Sequence, residues 1–220
     1  MIPMDKRILE ASIQLLNRNG ITKFSMRAII KELGISLSSL YRHVPGRMAL
    51  YSLICEHVCQ NIKEKENAAP KEYLMDICKS LREELLKIRH SAAIFYETIP
   101  ASEKHRELKP KVMKALSALG VKEAHLFSSA CILINYCLFS VWDEEFYRAV
   151  SGARNPQGII GFYQNQLSGM DYETQFLYGL EVILNGYIIP ARRPVSKNYT
   201  DFAESHGAKR KIRTPHSSSA

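Results

Sequence analysis

The run Ile35 to Arg47, ISLSSLYRHVPGR, collects three serines, a tyrosine, two arginines and a histidine in one short segment. Hydroxyls, a phenol, guanidinium groups and an imidazole donate hydrogen bonds to phosphate oxygens and to the edges of bases. The segment contains no acid. The wider window Lys23 to Arg47 holds five bases (Lys23, Arg27, Lys31, Arg42, Arg47) against Glu32 alone. Such a concentration of positive charge points to a polyanionic partner.

Side chains of this kind read a ligand only if a rigid element presents them on one face. The periodicity predicts three short helices before Arg47. The first covers about Asp5 to Asn19, with Ile8, Ala11, Ser12, Leu15 and Leu16 on one face and Gly20 as its stop. Ser25 is placed to cap a second helix, with Met26, Ile29, Ile30 and Leu33 inward, and Gly34 permits a tight turn. Ser36 caps the third, which turns Leu40 and Val44 inward and Leu37, Ser38, Ser39, Tyr41, Arg42 and His43 outward before Pro45-Gly46 ends it. Two helices joined by a glycine turn form a helix-turn-helix, the element that fits a major groove.

A long fourth helix is predicted from Arg47 to about Glu66, ending at the Asn67-Ala68-Ala69-Pro70 break. Further helical patterns run near Lys71 to Arg89, Ser91 to Ile99, His105 to Leu119, Lys122 to Tyr147, Gly158 to Gln166 and Tyr172 to Ile189. No run of alternating β-branched residues makes a strand, so the reading is all-α. The organisation expected is a three-helix DNA-binding domain over residues 1–47, a linking helix over 48–66, a larger ligand-binding and dimerisation domain over 67–190, and a basic, disordered tail over 191–220. That tail carries seven bases against two acids, and with the basic window near the N-terminus it accounts for the net charge of +8.

Composition narrows the classes. An apolar share of 46% over 220 residues is enough for a real core. The apolar run near Ala130 to Trp142 is broken by Asn135 and Ser140 and falls short of the roughly 18 residues of a membrane span. No apolar leader with a cleavage site follows MIPMDKR, which predicts a cytoplasmic protein with no membrane partner. Five scattered cysteines fit reduced thiols, and Cys55 and Cys59 fit small core residues better than a metal site. No nucleophile elbow, phosphate loop or HExxH spacing is present, so His90, Ser91, Glu97, His105 and Glu107 read as solvated surface, not as an enzyme site. Asp143-Glu144-Glu145 likewise reads as a solvated acidic face, or as a rim favouring a cationic ligand. No cofactor is implied.

The run Ile8 to Leu53, with ILEAS and LL ahead of Gly20 and LYRHV ahead of Gly46-Arg47, resembles the DNA-binding domain of the TetR family of bacterial repressors. The resemblance implies that Arg27 reaches DNA, that Leu37, Ser38, Ser39, Tyr41, Arg42 and His43 lie at the groove, and that Arg47 sits beside a phosphate. Arg42 suits guanine O6 and N7, with a phosphate as the competing role. Leu37 either packs on a thymine methyl or is simply an exposed leucine.

Asp171 to Tyr187, DYETQFLYGLEVILNGY, resembles the dimerisation helix of the tetracycline-repressor branch. Gly179 and Gly186 share one side of that helix, with Phe176, Leu180 and Ile183 as apolar packing nearby; an intramolecular core helix is the other reading. The family implies a homodimer on a palindromic double-stranded operator, released when a ligand in the second domain swings the fourth helix. An ungapped match places the residues that grip tetracycline and its metal at Ile77, Leu81, Phe95 and Ile99, which removes the polar grip. With Tyr96, Phe127, Cys131, Asn135 and Trp142, these predict a small hydrophobic or aromatic effector, unless they are plain core. An activator, or a co-regulator acting through protein partners, is the alternative.

Overall fold

The computed structural model describes residues 3–65, 67–151 and 171–188, and nine α-helices with no strand among them: α1 (Met4–Asn19), α2 (Met26–Leu33), α3 (Leu37–His43), α4 (Arg47–Gln60), α5 (Pro70–Leu86), α6 (Ser91–Glu97), α7 (Glu103–Ala118), α8 (Glu123–Ser151) and α9 (Tyr172–Ile188). The predicted helix over 158–166 and the basic tail over 191–220 lie outside the described residues.

Local chemistry sets the first three helices. Ser25 Oγ accepts the Ala28 amide at 3.2 Å and Ser36 Oγ accepts the Ser39 amide at 3.1 Å, so each helix start has a side-chain cap. Gly34 takes φ 63° and ψ 33°, the left-handed conformation that turns the chain from α2 into α3. Ile8, Leu16, Ile29, Leu40, Val44 and Leu50 are all buried in one core, and α3 packs on α2 by its inner face.

Helix α4 stops at Gln60, short of the predicted Glu66. The cause is polar. Asn61 Nδ2 donates to the His57 carbonyl at 2.7 Å, and the Lys63 amide donates to Ser80 Oγ of α5 at 2.8 Å. Backbone groups that would have extended the helix find partners on a side chain and on a neighbouring helix instead.

Helices α5 to α9 pack around α8. Between Glu123 and Ala149 α8 is long and apolar enough, by length and composition alone, to cross a membrane, which exceeds the shorter apolar run counted from the sequence. Its inner face is occupied by protein: Ala130, Leu133, Cys137 and Val141 are fully buried among α5, α6, α7 and α9. Ile132, Phe139, Trp142 and Phe146 leave a second apolar face about half exposed.

One ionic feature ties this bundle together. Arg82 of α5 pairs with Glu144 of α8, both buried, and Glu144 also pairs with the more exposed Arg148. The Arg82 guanidinium lies 5.1 Å from the Phe176 ring centroid of α9. Of Asp143-Glu144-Glu145, expected as a solvated face or acidic rim, Asp143 alone is exposed: Glu144 is internal, and Glu145 is half-buried and accepts the His90 amide at 2.9 Å. Only the opposing Arg82, distant in sequence, makes the burial of Glu144 affordable.

Candidate DNA-reading face and ligand cavity

On α3 the outer residues stand as a set. Leu37, Ser38, Tyr41, Arg42 and His43 are exposed and Ser39 is half-buried. Lys23, Arg27, Lys31 and Arg42 have no ion-pair partner among the described residues, while Glu32, the one acid in this window, is held by Arg18 of α1 at 2.7 Å. The surface is thus more basic than its composition, because its acid is already matched. An acid does reach it from outside: Asp5 Oδ1 of α1 lies 2.8 Å from His43 Nδ1, which fixes that imidazole and leaves Nε2 as the nitrogen for another partner. Arg47 lies along α4, its Nε donating to the Tyr51 hydroxyl at 2.8 Å and its guanidinium 5.0 Å from that ring centroid.

A cavity of about 310 Å³ opens between α6, the loop after it, α7 and α8. Of the nine residues expected to hold an effector, Phe95, Tyr96, Ile99 and Asn135 line it. The other five do not. Ile77 and Leu81 are sealed in the core at 2% exposure each. Phe127 is exposed beneath the Lys109 ammonium, 4.5 Å away, and Trp142 stacks on Phe139 at the surface. Cys131 is half-buried away from the lining. Helical period alone cannot separate an inner position that faces a neighbour helix from one that faces a gap.

His105, read as solvated surface, is 5% exposed and lines this cavity. Its ring centre is 4.3 Å from that of Phe95, and its Nδ1 has no hydrogen-bond partner among the described residues. Burial pushes its pKa below the ordinary histidine range, with Glu56 opposing and Lys109 adding to the shift, which favours the neutral imidazole. Leu108, Lys109, Ile134 and Leu138 also belong to the lining and were not singled out by sequence. Their spacing from His105 and Asn135 along α7 and α8 is the helical signal that could have found them.

The cavity wall is bonded to α4. Glu56 Oε2 accepts the Lys104 amide at 3.1 Å and the His105 amide at 3.4 Å. Ser102, at the cap position of α7, makes no cap bond of its own. A carboxylate from a different helix therefore caps α7 and complements its dipole. Next to it, the Cys55 thiol meets Thr98 of the cavity wall, and burial pushes that thiol up to about 12. Exchanging Glu56 for alanine should lower the unfolding free energy in urea by about 1 kcal/mol, the usual worth of an N-terminal cap; an unchanged midpoint would remove Glu56 from this role.

Helix α9 corrects the expected contact surface. Phe176 and Leu180 are buried within this chain, Phe176 stacked on Tyr136 of α8 at 5.4 Å. A β-carbon on Gly179 would overlap the Tyr136 hydroxyl, so the close approach that this glycine allows is to α8 of the same chain. Ile183 is half-buried and Gly186 has no neighbour within 4 Å of its β-position among the described residues. The exposed apolar row on α9 is Tyr178 and Val182, one position away from the residues expected.

Two family models match the chain: "Bacterial regulatory proteins, tetR family" over residues 8–53, and "Tetracyclin repressor-like, C-terminal domain" over residues 65–160. The chain belongs to the TetR family of transcriptional regulators. Among curated relatives, the tetracycline repressor protein class D of Escherichia coli is 23% identical over 190 residues, covering 82% of this chain and 87% of the relative. Among solved structures, Mycobacterium smegmatis BioQ aligns with a TM-score of 0.73 at 22% identity, covering 85% of this chain and 98% of its own. A BioQ with its double-stranded DNA operator aligns at 0.63 and 21%, covering 86% of this chain and 100% of its own. ActR of Streptomyces coelicolor in complex with (S)-DNPA aligns at 0.68 and 23%, covering 86% of this chain and 98% of its own. In this TetR regulator a second polar tie links the N-terminal helices to the larger bundle: Asn17 of α1 donates to the Lys87 carbonyl at 3.0 Å and accepts the Arg89 amide at 2.7 Å.

Proposed function

We propose that this regulator is a cytoplasmic repressor that sits as a homodimer on a palindromic operator and leaves it when a small hydrophobic or aromatic molecule fills the cavity. The observation that carries the reading is the Glu56 contact, because it bonds the helix that follows the reading helix to the turn of α7 that carries His105. Residues 1–47 act as the reading domain, 48–66 as the link and 67–190 as the sensor and dimer domain. On α3, Arg42 and Tyr41 reach the groove with Leu37, Ser38, Ser39 and His43, while Arg27 and Arg47 bracket it at the phosphates. A ligand that prefers the cavity in a repositioned α4 lowers operator affinity by the ratio of its affinities for the two states, typically about 5- to 150-fold.

The dimer face in this reading is the outer apolar surface of α8 and α9, with Phe139, Trp142, Phe146, Tyr178 and Val182 at its centre and Gly186 where two α9 helices pass. An apolar surface of this extent on two neighbouring helices is not left to water in a monomer, and a second copy covers it symmetrically. Two-fold symmetry then presents two α3 helices to successive major grooves, about 34 Å apart. The BioQ complex with operator and the ActR complex with a small molecule support both halves of the scheme as properties of those proteins.

The test is selection of binding sites from a random duplex pool, followed by titration at several salt concentrations. A two-fold symmetric site, with log affinity falling linearly against log salt, is the expected result. Binding that is indifferent to sequence, or absent, overturns the repressor reading.

A further inference from the structure

We propose that Asp5 and His43 form a proton-linked phosphate contact: each chain takes up one proton when it seats on the operator, because the His43 imidazole then donates from both of its nitrogens. This rests on α3 being the reading helix, and it adds to that helix a positioning residue from α1 and a dependence on pH.

Asp5 stands in the first turn of α1, and its Oδ1 lies 2.8 Å from Nδ1 of His43. Both side chains reach solvent, and an exposed pair of this kind adds little to folding. An acid in that first turn also suits the helix dipole, a role that bears on stability and not on proton uptake. The place of the pair is what gives it a use. His43 is the last residue of α3, whereas in a helix-turn-helix the N-terminal residues of the reading helix meet the base edges. A side chain at the other end stands at the edge of the groove, where the phosphates run. Next to Asp5, Lys6 and Arg7 are exposed and have no ion-pair partner among the described residues, so the same flank carries free positive charge for a polyanion.

The hydrogen-bond roles then fix the protonation state. An ionised carboxylate only accepts, so Nδ1 carries the hydrogen that Asp5 binds. A phosphate oxygen also only accepts, so Nε2 must carry a hydrogen where it meets the backbone of the duplex. Both conditions hold together only in the imidazolium. A neutral ring would turn the Nε2 lone pair to the phosphate and leave the Asp5 carboxylate near it with no cation between them. Neighbouring charges do not relieve this. Glu32 of α2 is held by Arg18, and Arg47 of α4 is bonded to the Tyr51 hydroxyl. Arg27, Lys31 and Arg42, like Lys6 and Arg7 of α1, are cations for the phosphates themselves, and Glu10 is exposed further along α1. The proton is thus a reactant in binding, and affinity rises as pH falls until the free protein already holds the imidazolium.

The test follows binding of the full chain to the selected duplex by fluorescence anisotropy from about pH 6 to about pH 8.5 at fixed ionic strength, the range in which an imidazole changes charge. Wild-type affinity should fall at least about tenfold between about pH 6.5 and pH 8, within the limit of about tenfold per pH unit for each proton. The slope of log affinity against log salt should be shallower at the alkaline end by about 0.9 for each half-site, since one cation fewer meets the phosphates. His43→Gln presents an amide donor that needs no proton, so its affinity should change less than about twofold over the same pH range and its salt slope should stay constant. Asp5→Asn keeps an acceptor for Nδ1 but not the charge that favours the imidazolium, and should flatten the pH curve. A purely structural Asp5 would move the urea midpoint in that variant and leave the pH curve as steep as in wild type.

A pH curve that His43→Gln reproduces, or one that Asp5→Asn leaves unchanged, overturns the proposal while the reading helix survives, because DNA binding is then intact. Loss of all duplex binding in wild type overturns both. If either variant does not fold, the wild type still decides the matter by calorimetry in two buffers of different ionisation enthalpy. Uptake of about half a proton or more per chain at about pH 7.5, vanishing near pH 5.5, is the expected result, and no uptake at the higher pH sinks the contact.

Discussion

Arg42→Ala should weaken operator binding about 10- to 100-fold, corresponding to roughly 1 to 3 kcal/mol for a guanidinium paired with guanine, with no change in unfolding midpoint. The absence of a stability effect follows from position. Arg42 is exposed on the outer face of α3 and has no ion-pair partner among the described residues, so folding does not use it. Leu40 and Val44, two residues to either side, hold the helix in place and are untouched. Fluorescence anisotropy against the selected duplex, at one salt concentration, reads the effect. Repeating it with a scrambled duplex separates the two roles open to the residue. A base contact is lost from the selected sequence alone; a phosphate contact is lost from every sequence and reduces the salt slope by about one. Wild-type affinity in this variant would mean that α3 is not the reading helix.

Glu144→Ala should cost about 3 to 5 kcal/mol, the penalty for leaving a buried charge without its partner. Arg82 would then be stranded. Its side chain is 7% exposed and its Nε has no hydrogen-bond partner among the described residues, so water cannot replace the lost carboxylate without opening the contact between α5 and α8. Phe176 of α9, resting against the same guanidinium, would lose a neighbour held in place by that pair. Urea unfolding at fixed protein concentration measures this. Replacing both partners, Arg82→Met with Glu144→Leu, should restore most of the stability, since an apolar pair of similar volume removes the charge and the need for its partner together. A loss below about 1 kcal/mol in the single variant would show that the pair is solvated.

Much of this was legible in the residues themselves. Ser25, Gly34 and Ser36 marked the ends of the helices flanking the turn because capping and left-handed turns depend on groups a few positions apart. The split of α3 into a buried pair and an exposed polar set followed from helical period. The end of α4 did not, because Ser80, which takes the Lys63 amide, lies on another helix. The periodicity of α9 identified an amphipathic helix, yet it took Tyr136 of α8 to decide that Gly179 and Phe176 face inward.

Sequence alone determined the helical class, the basic reading segment and its place near the N-terminus, since those properties arise from local spacing and from charge that needs no partner to exist. Tertiary structure decided which apolar residues enclose a cavity and which fill the core, that His105 and Glu144 are buried, and that Glu56 caps a helix not its own. Each of these depends on atoms brought together across dozens of residues. No period in the chain encodes where two distant helices leave a gap between them or which carboxylate meets which amide.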